Sequence, residues 1–264
     1  MSFVFEATLT TKILGAASLS KDEIALFAGR EKMKILSIDT SGQAASVAVV
    51  SENQVLAEFT LNDKINHSVT LMPLLNELLK AVNIEVADID YIAAACGPGS
   101  FTGLRIGAAA AKALAHASGK RLVPVSTLLG LAYNVLVSDR IIVPVMDAKR
   151  NQVYSAAFVR ECGSLETLLN TTADDIGVIL DAVKSYGKPA VFIGDGALVY
   201  ENHISNSGFE IAPPNCNFQR ASSVGLAAVP LIQQGMDVGY NEFEIMYARK
   251  PQAERELDSK LQNG

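Results

Sequence analysis

Apolar residues fall into an ordered series of short runs only from Met33 onward. Lys34-Ile35-Leu36-Ser37-Ile38-Asp39 reads as a buried strand ending on a carboxylate. Ala45–Val50 reads as a second strand and Val55–Leu61 as a third, joined through the turn Ser51-Glu52-Asn53-Gln54. From Ser68 to Val82 the period changes: Leu71, Leu74, Leu75, Leu78, Leu79 and Val82 share one helical face. Pro73 requires that helix to start near His67 or Ser68. Tyr91–Cys96 is a fourth strand, Leu104–Ser118 a helix stopped by Gly119, Leu122–Val125 a fifth strand, and Thr127 to about Leu136 a further helix. Leading antiparallel strands followed by parallel crossovers predict a ribonuclease-H-like half.

The same order then starts again. Ile141–Asp147 is an apolar strand ending on an aspartate, and Val153–Val159 follows it. A helix over 175–186, the strand Ala190–Ile193, the loop Gly194-Asp195-Gly196-Ala197 and a helix from Ala221 to Gln234 complete the series. Two such halves predict an α/β protein with the two ribonuclease-H-like lobes of the actin/Hsp70/sugar-kinase superfold. The expected divisions are an appended segment at 1–32 (a leader or a misplaced start), an N-terminal lobe at 33–137 and a C-terminal lobe at 138–264. In the first of these, Ser20-Lys21-Asp22-Glu23 predicts one short capped helix. After Pro251 a solvated polar tail is expected.

Composition narrows the function. Half the residues are hydrophobic, 19% are charged and the net charge is −6, which argues for a folded domain and against a protein that grips RNA alone. Cys96, Cys162 and Cys216 are odd in number and far apart, so a disulfide framework or thiolate zinc site is not expected and a reducing, cytoplasmic setting is. No apolar run approaches the length of a membrane span.

Several residues could carry chemistry, each with a plainer alternative. Asp39 stands where a superfold kinase holds magnesium, with Thr40 and Ser41 in the turn; equally, it caps that turn. Asp147 ends the matching strand, but Ala148 and Lys149 follow where two glycines would suit a phosphate. Gly97, Gly99, Ser100 and Thr102 lead into a helix N-terminus, which suits an anion or simply makes a tight strand-to-helix turn. Gly194 and Gly196 form the corresponding loop of the second half. Together these residues define a degenerate nucleotide or anion site. The helix from Leu104 carries alanine all round, so it either packs inward or also admits a partner helix.

Ile38-Asp39-Thr40-Ser41, His67-Ser68 and Gly97-Pro98-Gly99-Ser100-Phe101-Thr102-Gly103-Leu104-Arg105-Ile106-Gly107 resemble the TsaB family, also called YeaZ. Asp147-Ala148-Lys149-Arg150 with Val153-Tyr154, Gly194-Asp195-Gly196-Ala197 and Tyr247-Ala248-Arg249 add to the likeness. The resemblance spans about Met33 to Glu254. It implies a dimerisation subunit that catalyses nothing alone. Its partner would be a metal-bearing paralogue, TsaD, acting with the small ATPase TsaE to transfer a threonylcarbamoyl group to the tRNA adenosine beside the anticodon. The paralogue's two metal-binding histidines, spaced i, i+4, match Thr127 and Leu131, so no metal is expected here. No cofactor is expected to bind stoichiometrically, with ATP or ADP entering only at the assembled complex, and tRNA is expected to be met through that complex. When alone, the chain could pair with itself. The expected interface comprises Leu71, Leu75, Leu78, Ala109 and Ala113, with the outward stripe of the alanine helix left open. The competing function is an ATP-dependent phosphotransferase or ATPase of the same superfold.

Overall fold

The computed structural model describes residues 32–63, 66–135, 137, 139–149, 151–161 and 164–247. The expected leader helix, the polar tail, Arg150, Cys162 and Arg249 lie outside the described residues. Two five-stranded sheets form the frame. β1 (Ile35–Asp39) is central in the first, paired antiparallel to β2 (Ala45–Ser51) and parallel to β4 (Tyr91–Gly97). β3 (Gln54–Leu61) and β5 (Arg121–Ser126) complete the order β3-β2-β1-β4-β5. In the second sheet β6 (Ile141–Asp147) is central, between β7 (Gln152–Glu161) and β9 (Ala190–Ile193), with β8 (Ser164–Asp175) and β10 (Glu210–Ile211) at the edges. Read outward from the central strand, both sheets have two antiparallel strands on one side and two parallel strands on the other. The duplication expected from the two carboxylate-ended strands is therefore present in the topology.

Every residue of β1 is buried, because both faces of the first sheet are covered. On one face Leu36, Ile38, Val47, Val49, Ile92 and Ala94 meet α1 (His67–Ala81) and α2 (Phe101–Ser118). The opposite face packs on α7 (Ala221–Gln233) through Val224, Ala227 and Ala228. Sheet two is covered on one side by α4 (Ile176–Ser185) with α5 (Asp195–Val199) and α6 (Glu201–Asn206), and on the other by α3 (Thr127–Ala132). None of the helices among the described residues is long and apolar enough to cross a membrane.

Two segments assigned by sequence to 138–264 pack on the first sheet instead. One is α7, whose small residues allow a close approach: a Cβ on Gly225 would lie 2.6 Å from Val50 Cγ2. Its first turn has no cap of its own. Ser46 Oγ accepts from the Ala221 amide at 2.9 Å, and Glu58 Oε1 accepts from the Ser222 amide and hydroxyl at 2.9 and 2.6 Å. The other is a strap over 236–247. Leu122 and Val238 exchange both backbone hydrogen bonds, Phe243 is buried, and the Met246 amide donates to Cys96 O at 2.7 Å. Tyr240 stacks on His116 and Tyr247 on Phe101, so the strap runs antiparallel along the flank of α2.

Local chemistry explains the remaining differences from the expected elements. α1 starts at His67, with the Asn66 side chain accepting from the Ser68 amide. Pro73 lies in its seventh position, on an exposed face. α3 stops at Ala132 rather than Leu136, and Asn134 beyond it donates to the Cys216 and Phe218 carbonyls at 2.8 Å. β8 was not expected: its polar, bulged run lacks strict alternation and lies at a sheet edge.

The burial pattern corrects half of the expected interface. Leu71, Leu75 and Leu78 are 1%, 3% and 0% exposed and fill the core beneath α1. Ala109 and Ala113 are exposed, whereas Ala108, Ala111 and Ala115 face the sheet. Leu78→Ala should therefore act as a core truncation, lowering the unfolding free energy in urea denaturation by about 2–5 kcal/mol.

Candidate functional site

Three turns converge on a cleft of about 460 Å³. The β1–β2 turn contributes Ser41, Gly42 and Gln43; the glycine loop contributes Gly99 and Ser100; the β6–β7 turn contributes Met146, Asp147, Ala148 and Lys149. Tyr154 and Asp195 complete the lining. Of the residues expected from sequence, Ser41, Gly99, Ser100 and Asp147 line this cleft, while Asp39 and Thr40 lie buried behind it. Thr102 is exposed on the first turn of α2 and is not part of the lining.

Most polar groups of the first turn are already engaged. Asp39 Oδ1 accepts from the Ser41 amide at 2.8 Å and from its hydroxyl at 2.6 Å, closing an Asx turn. Thr40 turns the other way, its hydroxyl donating to Gly103 O at 2.8 Å, and Ser41 O accepts from the Ser100 amide at 2.7 Å. Burial raises the Asp39 carboxyl to about 6 against the pull of the Ser41 hydroxyl and amide and of His67. The imidazole Nε2 of His67 lies 3.1 Å from Gly42 O, which selects the tautomer that donates there.

Gly42 is held from its other side by Gln219. A Cβ on Gly42 would fall 2.0 Å from Gln219 Oε1, so the carboxamide occupies the space that a side chain would need. Gln219 Nε2 and His67 Nδ1 are buried with no hydrogen-bond partner among the described residues. Sequence reading did not single out Gln219: it lies in the irregular stretch before α7, where no periodicity marks it.

The second turn closes on itself. The Lys149 amide donates to Asp147 Oδ1 at 2.8 Å, and Lys149 Nζ pairs with Oδ2 at 2.5 Å. Hydrogen bonding and charge from Asp147 raise the Lys149 ammonium. With that pair mutually neutralised, Asp195 leaves the cleft acidic, a poor setting for a polyphosphate without a cation.

The other expected glycines serve close packing. A Cβ on Gly97 would lie 2.3 Å from Met246 O, and one on Gly194 2.3 Å from Val145 O; both have positive φ. A Cβ on Gly196 would lie 2.7 Å from Val145 Cγ1 and 3.0 Å from the Asp147 amide nitrogen. These three flank the converging turns without lining the cleft.

Thr127 and Leu131 are buried in the core around α3. Among the described residues no three of His, Cys, Asp and Glu gather as a metal site. His67 is at the first turn, His116 against Tyr240 and His203 beside Tyr200.

A family model described as TsaD, tRNA N6-adenosine threonylcarbamoyltransferase, matches residues 54–255. The chain is 35% identical to the tRNA threonylcarbamoyladenosine biosynthesis protein TsaB of Bacillus subtilis over 174 residues, 66% of this chain and 76% of that protein. Its counterpart of the same name in Escherichia coli is 26% identical over 236 residues, covering 86% of this chain and 100% of that one. Two solved structures from Pseudomonas aeruginosa share the fold. One, an uncharacterised protein with similarity to peptidase YEAZ, has a TM-score of 0.72 and 21% identity over 82% of this chain and 100% of that chain. The other, YeaZ, has a TM-score of 0.69 and 20% identity over 81% and 99%.

Gly42→Ala should cost about 1–3 kcal/mol through its clash with the Gln219 carboxamide. Adding Gln219→Ala should restore part of that loss, a coupling read from a double-mutant cycle in urea. For Asp39, a folded value above the ordinary 3.8 means that protonation favours the fold. Its stabilising share is full below about pH 4 and is lost as pH rises through about 6, a change of order 3 kcal/mol. Asp39→Asn should flatten that part of the pH–stability curve, measured as variant minus wild type from pH 4 to about pH 7.

Proposed function

The chain belongs to the TsaB (YeaZ) family of tRNA threonylcarbamoyladenosine biosynthesis proteins, and from that premise we propose that it is the family's non-catalytic dimerisation subunit. It pairs with a TsaD-like metal-bearing paralogue, and the pair, with a TsaE-like ATPase, transfers the threonylcarbamoyl group to tRNA. One observation carries this reading: α1 and α2 expose apolar side chains that have no core of this chain to fill. Val69 and Met72 are 67% and 47% exposed on α1, and Ala109 and Ala113 are exposed on α2. α1 and α2 pack against one another, and in this reading their exposed apolar residues together meet the partner. Alanine lets a second helix pair approach to about 8–10 Å between axes, and the larger side chains fill the seam. Without the paralogue, the same face can pair two copies of this chain. In this reading tRNA is met through the partners, as the net charge of −6 suits, and the setting is the cytoplasm.

The competing reading, an ATP-dependent phosphotransferase, draws on the convergence of the turns at Asp39, Asp147 and Asp195. Against it stand the self-closed Asx turn, the Asp147–Lys149 pair and the Gln219 carboxamide behind Gly42. In the scaffold reading, nucleotide acts at the assembled complex and the isolated chain has no ATP turnover. A nucleotide titration and turnover assay on the isolated protein separates the two readings: micromolar ATP binding with hydrolysis favours the enzyme.

Ala109→Arg and Ala113→Arg test the pairing face. Arginine is a good helix former and both sites are exposed, so each variant should melt like wild type. Pairing with the purified TsaD-like paralogue, measured by calorimetry, should weaken about a hundredfold or more, because a large unpaired charge is forced into a helix seam. Reconstituted tRNA modification should fall with it. Two well-folded variants that pair normally would exclude this face.

A further inference from the structure

We propose that Arg105 is a pre-set anchor that receives a carboxylate from the facing helix of the partner, an inference that rests on the pairing face described above. Arg105, Ala109 and Ala113 stand at i, i+4 and i+8 on α2 and form one outward stripe. The guanidinium of Arg105 lies over the Phe101 ring, 3.8 Å from its centroid, and Nε donates to Tyr247 Oη at 3.2 Å. Phe101 and Tyr247 are themselves 4.8 Å apart, so the three side chains make one stack. Its outer member comes from the strap, which the Met246 amide fixes to Cys96 O one residue earlier.

This arrangement holds an exposed arginine in place without neutralising it. Arg121, Arg140 and Arg220 each pair with a carboxylate: Asp237, Glu210 and Glu58. Arg105 meets an aromatic ring and a phenol, and no carboxylate pairs with it among the described residues. With Nε and one face occupied, the Nη edge remains, the fork that matches a carboxylate through two parallel hydrogen bonds. Because the stack has already removed side-chain freedom, closing on a carboxylate costs little further entropy. The fork also matches a phosphodiester, but the neighbours of Arg105 along the stripe are alanines, and a chain of net charge −6 is poorly suited to RNA. An acidic side chain on a partner helix fits both the fork and the stripe.

The test is calorimetry with the purified TsaD-like paralogue in the absence of tRNA, at low salt and at salt high enough to screen exposed charges. Arg105→Gln should keep the melting temperature, weaken pairing about tenfold or more at low salt, and flatten its salt dependence. Arg105→Lys should bind between the two, keeping charge but losing the fork. Tyr247→Phe keeps the ring contact and should lose only severalfold. If Arg105→Gln binds like wild type while Ala109→Arg does not, the pairing face stands and the anchor is wrong. If both bind like wild type, the face itself fails and the anchor with it. Weaker pairing with an unchanged salt dependence would overturn carboxylate recognition. So would an effect of Arg105→Gln that emerges only when tRNA is added, since the fork would then serve a phosphate.

Discussion

A helix end placed against a sheet must find acceptors for its first amides, and that requirement ties a late segment of the chain to the first sheet. α7 starts against β2 and β3 with no cap of its own, and Ser46 and Glu58 supply the acceptors. Glu58 also holds Arg220 just outside the helix. The carboxylate therefore serves two positive ends at once, a cation and the partial charge of a helix terminus. Only with that end satisfied can the small-residue face of α7 lie close enough to cover the second face of the first sheet.

In the cleft where the turns converge, backbone groups are committed to the protein itself. Glycines that would admit a phosphate instead admit other backbone, at Met246 and Val145, and the carboxylates close turns on their own neighbours. Conformational freedom at Gly97 and Gly194 is used to bring strand ends against adjacent chain. Val69, Met72, Ala109 and Ala113 on the outer faces of α1 and α2 have the opposite character, since their apolar side chains are exposed rather than packed within the fold.

Much of the frame was legible in the sequence because burial on both faces leaves near-continuous apolar strands, and Asp39 and Asp147 mark the repeated unit. Edge strand β8 was not, since a half-exposed, bulged strand has no strict alternation to read. The strap escaped for a related reason: Val238, Phe243 and Ile245 are spaced among glycine, asparagine and acidic residues with no helical or strand period, and their contacts lie across the fold. In the candidate site, sequence found the turns but not their occupant, because Gln219 reaches Gly42 from a distant loop. The helix faces were half right. Leucines at helical spacing signal a buried side, and Leu71, Leu75 and Leu78 are that side. Alanine carries no such signal, so only the structure separates Ala109 from Ala108.

The crossing of α7 also bears on how the protein is made. Ser46 and Ala221, which meet at the start of that helix, are 175 residues apart in the chain. During synthesis the strands of the first sheet leave the ribosome long before α7 exists, with one apolar face uncovered. Loop closure over such a span is slow compared with local pairing, and the bare face is the kind of surface that aggregates or recruits a chaperone. A nascent chain stalled before Ala221 would hold a sheet face that α7 has yet to cover, so the order of the chain makes α7 the step that commits the first lobe to its native state.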